Sequence, residues 1–170
     1  SGFTTEWYWQ VLGFKTTISE ASLYIESTDQ LLAALRNSLL IAASTTIIAT
    51  VLGTAIALAL YRYDFLGSRY YRVLMFMPML MPDIVLGIAL LIFFVNAGIR
   101  LGIGTIIIGQ CTFLISYVFI EVSSRLAGMD RSLEHASADL GANEWTTFRK
   151  VVLPQLMPGV VGGALLAFII

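Results

Sequence analysis

The sequence predicts an all-α fold, that of a polytopic helical membrane protein, and three observations carry the prediction. Of the 170 residues 58% are hydrophobic and only 12% are charged, whereas soluble domains carry roughly 25% charged residues. The charges are also segregated. None falls between Arg36 and Arg62, only Asp83 falls between Arg72 and Arg100, and none falls in 101–120 or in 151–170. Each of these four stretches reaches the roughly 20 apolar residues that a helix needs to cross the hydrocarbon core.

The elements follow in order. Residues 1–34 mix Phe3, Trp7, Tyr8 and Trp9 with Glu6, Lys15, Glu20, Glu26 and Asp29, a composition that suits a water-facing segment at a membrane interface rather than a span. The first span is expected at about 37–60, rich in Ala and Thr and holding Gly53, small residues that let helices approach closely. Tyr61, Arg62 and Tyr63 follow as an aromatic and basic anchor. Further spans are expected at about 73–96, 103–124 and 151–170, with a short glycine-bearing turn at 96–104 and a polar loop at 125–150 between them. Neither end reads as a natural terminus: Ser1 is not a start methionine, no basic and apolar leader follows it, and Ile170 stops inside an apolar run. A fuller protein with further helices on both sides is expected.

Orientation follows from Lys and Arg, which accumulate on the cytoplasmic side of short loops. Arg62, Arg69, Arg72, Arg125, Arg131, Arg149 and Lys150 fall on one side, and Lys15, Arg36 and Arg100 on the other, seven against three of the ten basic residues. The first side, with the 125–150 loop, is expected to be cytoplasmic, and the 1–34 segment periplasmic.

Within that loop Asp130 can cap a helix whose Leu133, Ala136, Ser137 and Leu140 share one face. Gly141 is a natural stop, and Asn143 can cap a second short helix carrying Trp145 and Phe148, with Arg149 and Lys150 late in it and Pro154 at the membrane entry. This helix, glycine corner and helix suits two roles: an amphipathic anchor lying on lipid, or a rigid element that docks in a groove of a cytoplasmic partner.

Few residues in the apolar stretches carry chemistry. Asp83 follows Pro82 in the second span, where a carboxylate costs about 2.5–3.5 kcal/mol on insertion scales. It can face a cavity or a partner, or it can complement the exposed amides of a helical segment that restarts after the proline. Glu121 lies four residues before Arg125, the spacing of a helical ion pair, and is also a candidate for a substrate path. Tyr117 and Phe113 lie one and two turns earlier on its face, where a cation could meet their rings. His135 is the single histidine and Cys111 the single cysteine; neither has companions for a metal site. Met75, Met77, Met79 and Met81 alternate, so they point to different faces of a helix and read as adaptable packing.

The run LEHASADLGANEWTTFRKVVLP at 133–154 resembles the signature loop of ABC importer permeases, which reads Glu-Ala-Ala, three residues, Gly, nine residues, an aliphatic, any residue, then Leu-Pro. Ala136 and Ser137 take the alanine places, Gly141 the glycine, Val151 the aliphatic, and Leu153 and Pro154 the ending, with each spacing kept. The departure is His135 in the glutamate place, with Glu134 one residue earlier. GFTTEWY, ALYRYDFLGSRYYR and MPDIVLGIALLIF extend the likeness over nearly the whole chain, toward the spermidine/putrescine permease subfamily.

The resemblance implies a partial transmembrane domain of the type I importer fold over 35–170, in the bacterial inner membrane. It implies that 130–154 couples to an ATPase subunit dimer, with Glu134, His135, Ala136, Ser137, Asp139, Gly141, Ala142, Leu153 and Pro154 in the coupling loop and Asp83, Tyr117 and Glu121 along a substrate path. A second permease subunit and a periplasmic solute-binding protein are the other implied partners, with no nucleic acid, cofactor or metal. No Gly-x-x-x-x-Gly-Lys phosphate loop occurs, so ATP hydrolysis is expected in a partner and the chain itself is not expected to be an enzyme. The alternatives are the same fold carrying another small solute, such as an opine, a phosphonate or iron, and a channel or secondary transporter that uses no ATPase.

Overall fold

The structure is a computed structural model that describes residues 21–63 and 65–170, with side chains from residue 30 onward. The aromatic segment expected at the interface lies largely outside the described residues. The chain clusters into two compact units, Ser1–Ile41 and Ala42–Ile170. In the first, the described residues belong to helix α1, Ala21–Arg62, and Leu31, Leu32, Leu35, Leu39 and Leu40 are exposed on it. The division expected at 34/35 therefore falls inside a helix. No glycine or proline occurs between Ala21 and Leu52, so nothing in the local chemistry interrupts α1 before the expected span begins.

The second unit holds the rest of α1, then α2 (Ser68–Leu80), α3 (Asp83–Asn96), α4 (Ile103–Ala127), α5 (Ser132–Asp139), α6 (Glu144–Thr147) and α7 (Leu153–Ile169). Among the described residues three helices are long and apolar enough to cross a membrane: Gln30–Arg62, Ile103–Ala127 and the continuous run Glu144–Ile169. The span expected over 73–96 is broken into the pair α2 and α3, which are bent by 104°. The cause is local. Pro82 forces Met81 out of the helical region, to φ −86 and ψ 137, because its ring clashes with a helical residue before it.

The fourth expected span also differs at its start, since the helix begins at Glu144 rather than near Val151. Pro154 has no N–H for a bond to the carbonyl four residues back. Here the preceding Phe148–Val152 turn is widened to a π-helix, with the Leu153 N–H bonded to the Phe148 carbonyl, and the helix passes through.

The core is shared by three helices. Ala49, Ala57 and Leu60 of α1, Leu114, Val118, Val122 and Leu126 of α4, and Leu156 and Ala167 of α7 are all buried in one cluster. Val118 lies between two glycines: a Cβ placed on Gly53 would come within 2.8 Å of the Val118 Cβ and 2.9 Å of the Ile115 carbonyl oxygen, and one on Gly163 within 3.3 Å of the Val118 Cα. Lipid tails are as apolar as leucine, so close backbone packing replaces hydrophobic burial as the force holding such helices together.

Candidate functional site

Two places in the second unit collect the residues with chemical potential: a cavity between α3 and α4, and the corner formed by α5 and α6. The cavity, about 520 Å³, is lined by Asp83, Gly87, Leu90 and Phe94 of α3 and by Gly109, Gln110 and Phe113 of α4, among others. Asp83 stands in the first turn of α3 with its side chain exposed, so it both complements the helix N-terminus and presents a carboxylate to the cavity. The Thr105 hydroxyl, also in the lining, is engaged with the Gly102 backbone, accepting from its N–H at 2.9 Å and donating to its carbonyl at 2.8 Å. Gln110 is the polar residue that the sequence did not single out. Its one signal was an amide in an otherwise apolar run.

Tyr117 and Glu121 lie beyond that lining. Tyr117 meets the cavity-lining Phe113 edge to face, with ring centroids 4.9 Å apart. Glu121 lies against α7, where a Cβ on Gly162 would be 3.4 Å from its Oε1. The ion pair expected between Glu121 and Arg125 is absent among the described residues. Both side chains pack on the glycines of α7 instead: a Cβ added to Gly159 would come within 2.6 Å of the Arg125 Cγ.

The corner is defined by hydrogen bonds. The Asp130 carboxylate accepts from the Ser132 N–H at 2.8 Å, and that contact and the Ser132 hydroxyl hold its pKa below the usual carboxylate value. At the other end of α5 the Gly141 N–H donates to Ala138 at 2.8 Å and the Ala142 N–H to Ser137 at 3.1 Å, the paired bonds of a Schellman stop. That stop needs a left-handed residue, and Gly141 has φ +80. Asn143 then caps α6, its side chain accepting from the Thr146 N–H at 2.8 Å. Across the corner the Ser137 and Thr147 hydroxyls are 3.0 Å apart and hydrogen-bonded, tying the two arms into one body.

The face carrying Leu133, Ala136 and Leu140 points outward, with Leu133 46% and Leu140 89% exposed. Ser137, expected on that face, instead turns inward to Thr147. His135, Asp139 and Pro154 are exposed. Glu134 reaches Arg62 at the end of α1, 3.6 Å away, a contact between residues 72 positions apart that no local pattern could reveal.

The family model described as binding-protein-dependent transport system inner membrane component matches residues 49–170. The chain is 40% identical over 167 residues to the spermidine/putrescine transport system permease protein PotC of Escherichia coli (strain K12), covering 98% of this chain and 58% of that protein. It is 35% identical over 175 residues to the putrescine transport system permease protein PotI of the same strain, covering 99% and 57%. It is 34% identical over 137 residues to the molybdate/tungstate transport system permease protein WtpB of Pyrococcus abyssi (strain GE5 / Orsay), covering 79% and 54%. The chain thus spans less than two thirds of the length of each.

Proposed function

This chain belongs to the binding-protein-dependent transport system inner membrane components, and from that premise we propose that it is the permease subunit of an ATP-driven importer that carries spermidine and putrescine across the cytoplasmic membrane. The names of PotC and PotI support the polyamine reading. The observation that carries it is the Asp83 carboxylate on a cavity otherwise lined mainly by apolar and aromatic side chains.

The magnitudes favour a cationic cargo. A carboxylate at membrane depth costs about 2.5–3.5 kcal/mol, and an ammonium about 4 Å away returns about 4 kcal/mol at an effective dielectric of 20. A polyamine at Asp83 therefore offsets the cost of keeping the acid there, and the Phe113 and Tyr117 rings extend a surface that attracts cations. An oxyanion of the kind named for WtpB would meet repulsion from the same carboxylate.

The 130–154 loop is the coupling element. It faces the cytoplasm by the excess of Lys and Arg on its side, and its outward apolar face, Leu133, Ala136 and Leu140, docks in a cleft of the ATPase dimer. Nucleotide-driven closure there moves the corner, and the continuous helix from Glu144 to Ile169 carries the movement into the membrane, rocking the permease between outward and inward access. A second permease subunit completes the pathway, and a periplasmic binding protein delivers the solute.

The test uses the full-length protein with its neighbouring subunits in vesicles and follows ATP-dependent uptake of labelled spermidine by wild type and Asp83→Asn. The expected result is ATP-dependent uptake by wild type and roughly tenfold less by the variant, the equivalent of about 1.4 kcal/mol. Uptake that needs no ATP would instead establish a channel or secondary transporter.

A further inference from the structure

The corner touches more than the helix it leads into. Its two arms close on the last residues of α1. Arg131, before α5, places its guanidinium over the Tyr61 ring at 4.5 Å, and its Nε donates to the Tyr61 hydroxyl at 3.1 Å and its Nη2 to the Tyr61 carbonyl at 3.4 Å. Glu134 of α5 pairs with Arg62. From the other arm, the Phe148 ring lies 5.8 Å from the Arg62 guanidinium and stacks on Trp145. Arg72 holds the same end of α1 as well, donating to the Leu60 carbonyl at 2.8 Å.

From these contacts we propose that Tyr61 and Arg62 are positioning residues for transport: they receive the movement of the corner and pass it to α1. The inference rests on the importer reading given above. The corner moves as one body because Ser137 bonds Thr147 and the Gly141 stop fixes its angle. One output runs through the chain, from α6 into α7. The second runs through the clasp, and it is the only one of the two that side-chain chemistry can break without cutting a helix. The clasp also gives Glu134 a role within its own chain, one residue before the place where the signature loop has its glutamate.

A merely structural contact and a transmitting one differ in what they do to coupling. The full-length importer complex is reconstituted in vesicles, and labelled spermidine uptake and phosphate release are measured together for wild type, Arg62→Gln, Arg62→Lys, Arg131→Gln and Arg131→Lys, with retained ATPase subunit quantified. The glutamine variants are expected to keep the ATPase subunit and hydrolyse ATP while moving at least threefold less spermidine per phosphate. The lysine variants, which keep a cation over the rings, are expected to retain more than half of the wild-type ratio. A wild-type ratio in both glutamine variants overturns the clasp while leaving the importer reading intact, and so does loss of the ATPase subunit from them, which would make the clasp part of the docking surface. A wild type whose uptake ignores ATP overturns the importer reading and the clasp with it.

Discussion

Substitution of Gly141 separates backbone geometry from contact at the corner. Gly141 has φ +80, and a Cβ built on it meets nothing within 4 Å. A Cβ there costs nothing through collision with this chain, so the intrinsic penalty of the first side-chain carbon is that of an L residue in the left-handed region. That penalty is about 1–2 kcal/mol for alanine, smaller for asparagine, which tolerates the conformation, and larger for a β-branched residue. An energy of this size shifts the ratio of the observed corner to its alternatives by a factor of about 5–30. ATP-dependent spermidine uptake by the full-length protein reconstituted with its neighbouring subunits is therefore expected to fall in the order Gly, Asn, Ala, Val, with Gly141→Asn near wild type. Two results would refute the reasoning. Equal loss in Asn, Ala and Val would mean that the open space over Gly141 is filled by a partner, and a silent Gly141→Val would mean that the left-handed corner does not matter.

Other consequences follow from the packing and from the turn before α5, where Arg131 rather than Asp130 is the N-cap. Gly53→Ala drives a methyl group against the Val118 Cβ and the Ile115 carbonyl, and backbone cannot swing aside, so thermal unfolding in detergent should show a loss of about 1–3 kcal/mol; an unchanged midpoint would mean that α1 and α4 are not held at this distance. Asp130 acts on the loop through its ionised form. Its folded pKa is lowered by the Ser132 contacts, so its contribution is present above the unfolded value of about 3.9 and is lost as pH falls through the lower folded value. Asp130→Ala should therefore speed amide exchange of α5, corrected for intrinsic rates, at neutral pH, and the difference from wild type should vanish under strongly acidic conditions.

Much of this organisation was legible because it is punctuated locally. The charge-free stretches mark apolar helices, and Gly141 and Asn143 read as a stop and a cap because each acts on bonds within a few residues. Pro82 was visible too, but composition alone did not say that the chain would turn by 104° there. The start of α1 was hidden by its polar and aromatic residues, which suit an interface yet contain nothing that breaks a helix. What the sequence could not reveal depends on distant neighbours. Spacing alone suits a pair between Glu121 and Arg125, and only the structure shows that both side chains pack on the glycines of α7 instead. The clasp of Arg131 and Glu134 on Tyr61 and Arg62 joins residues 70 and 72 positions apart, and Tyr61 and Arg62 had read simply as a membrane anchor. Gln110 acquires meaning only when α3 brings Asp83 to the same cavity.

We have proposed that the corner at 132–147 docks on a separate ATPase in the cytoplasm. Cross-linking tests it most directly, using Leu140→Cys in the full-length protein with the buried Cys111 replaced, assembled with its neighbouring subunits. Leu140 is 89% exposed and caps the outward face. A cross-link from position 140 to the ATPase subunit is expected, and none from Ile99→Cys in the turn between α3 and α4. A cross-link from position 99 and none from position 140 would contradict both the docking surface and the orientation of the chain.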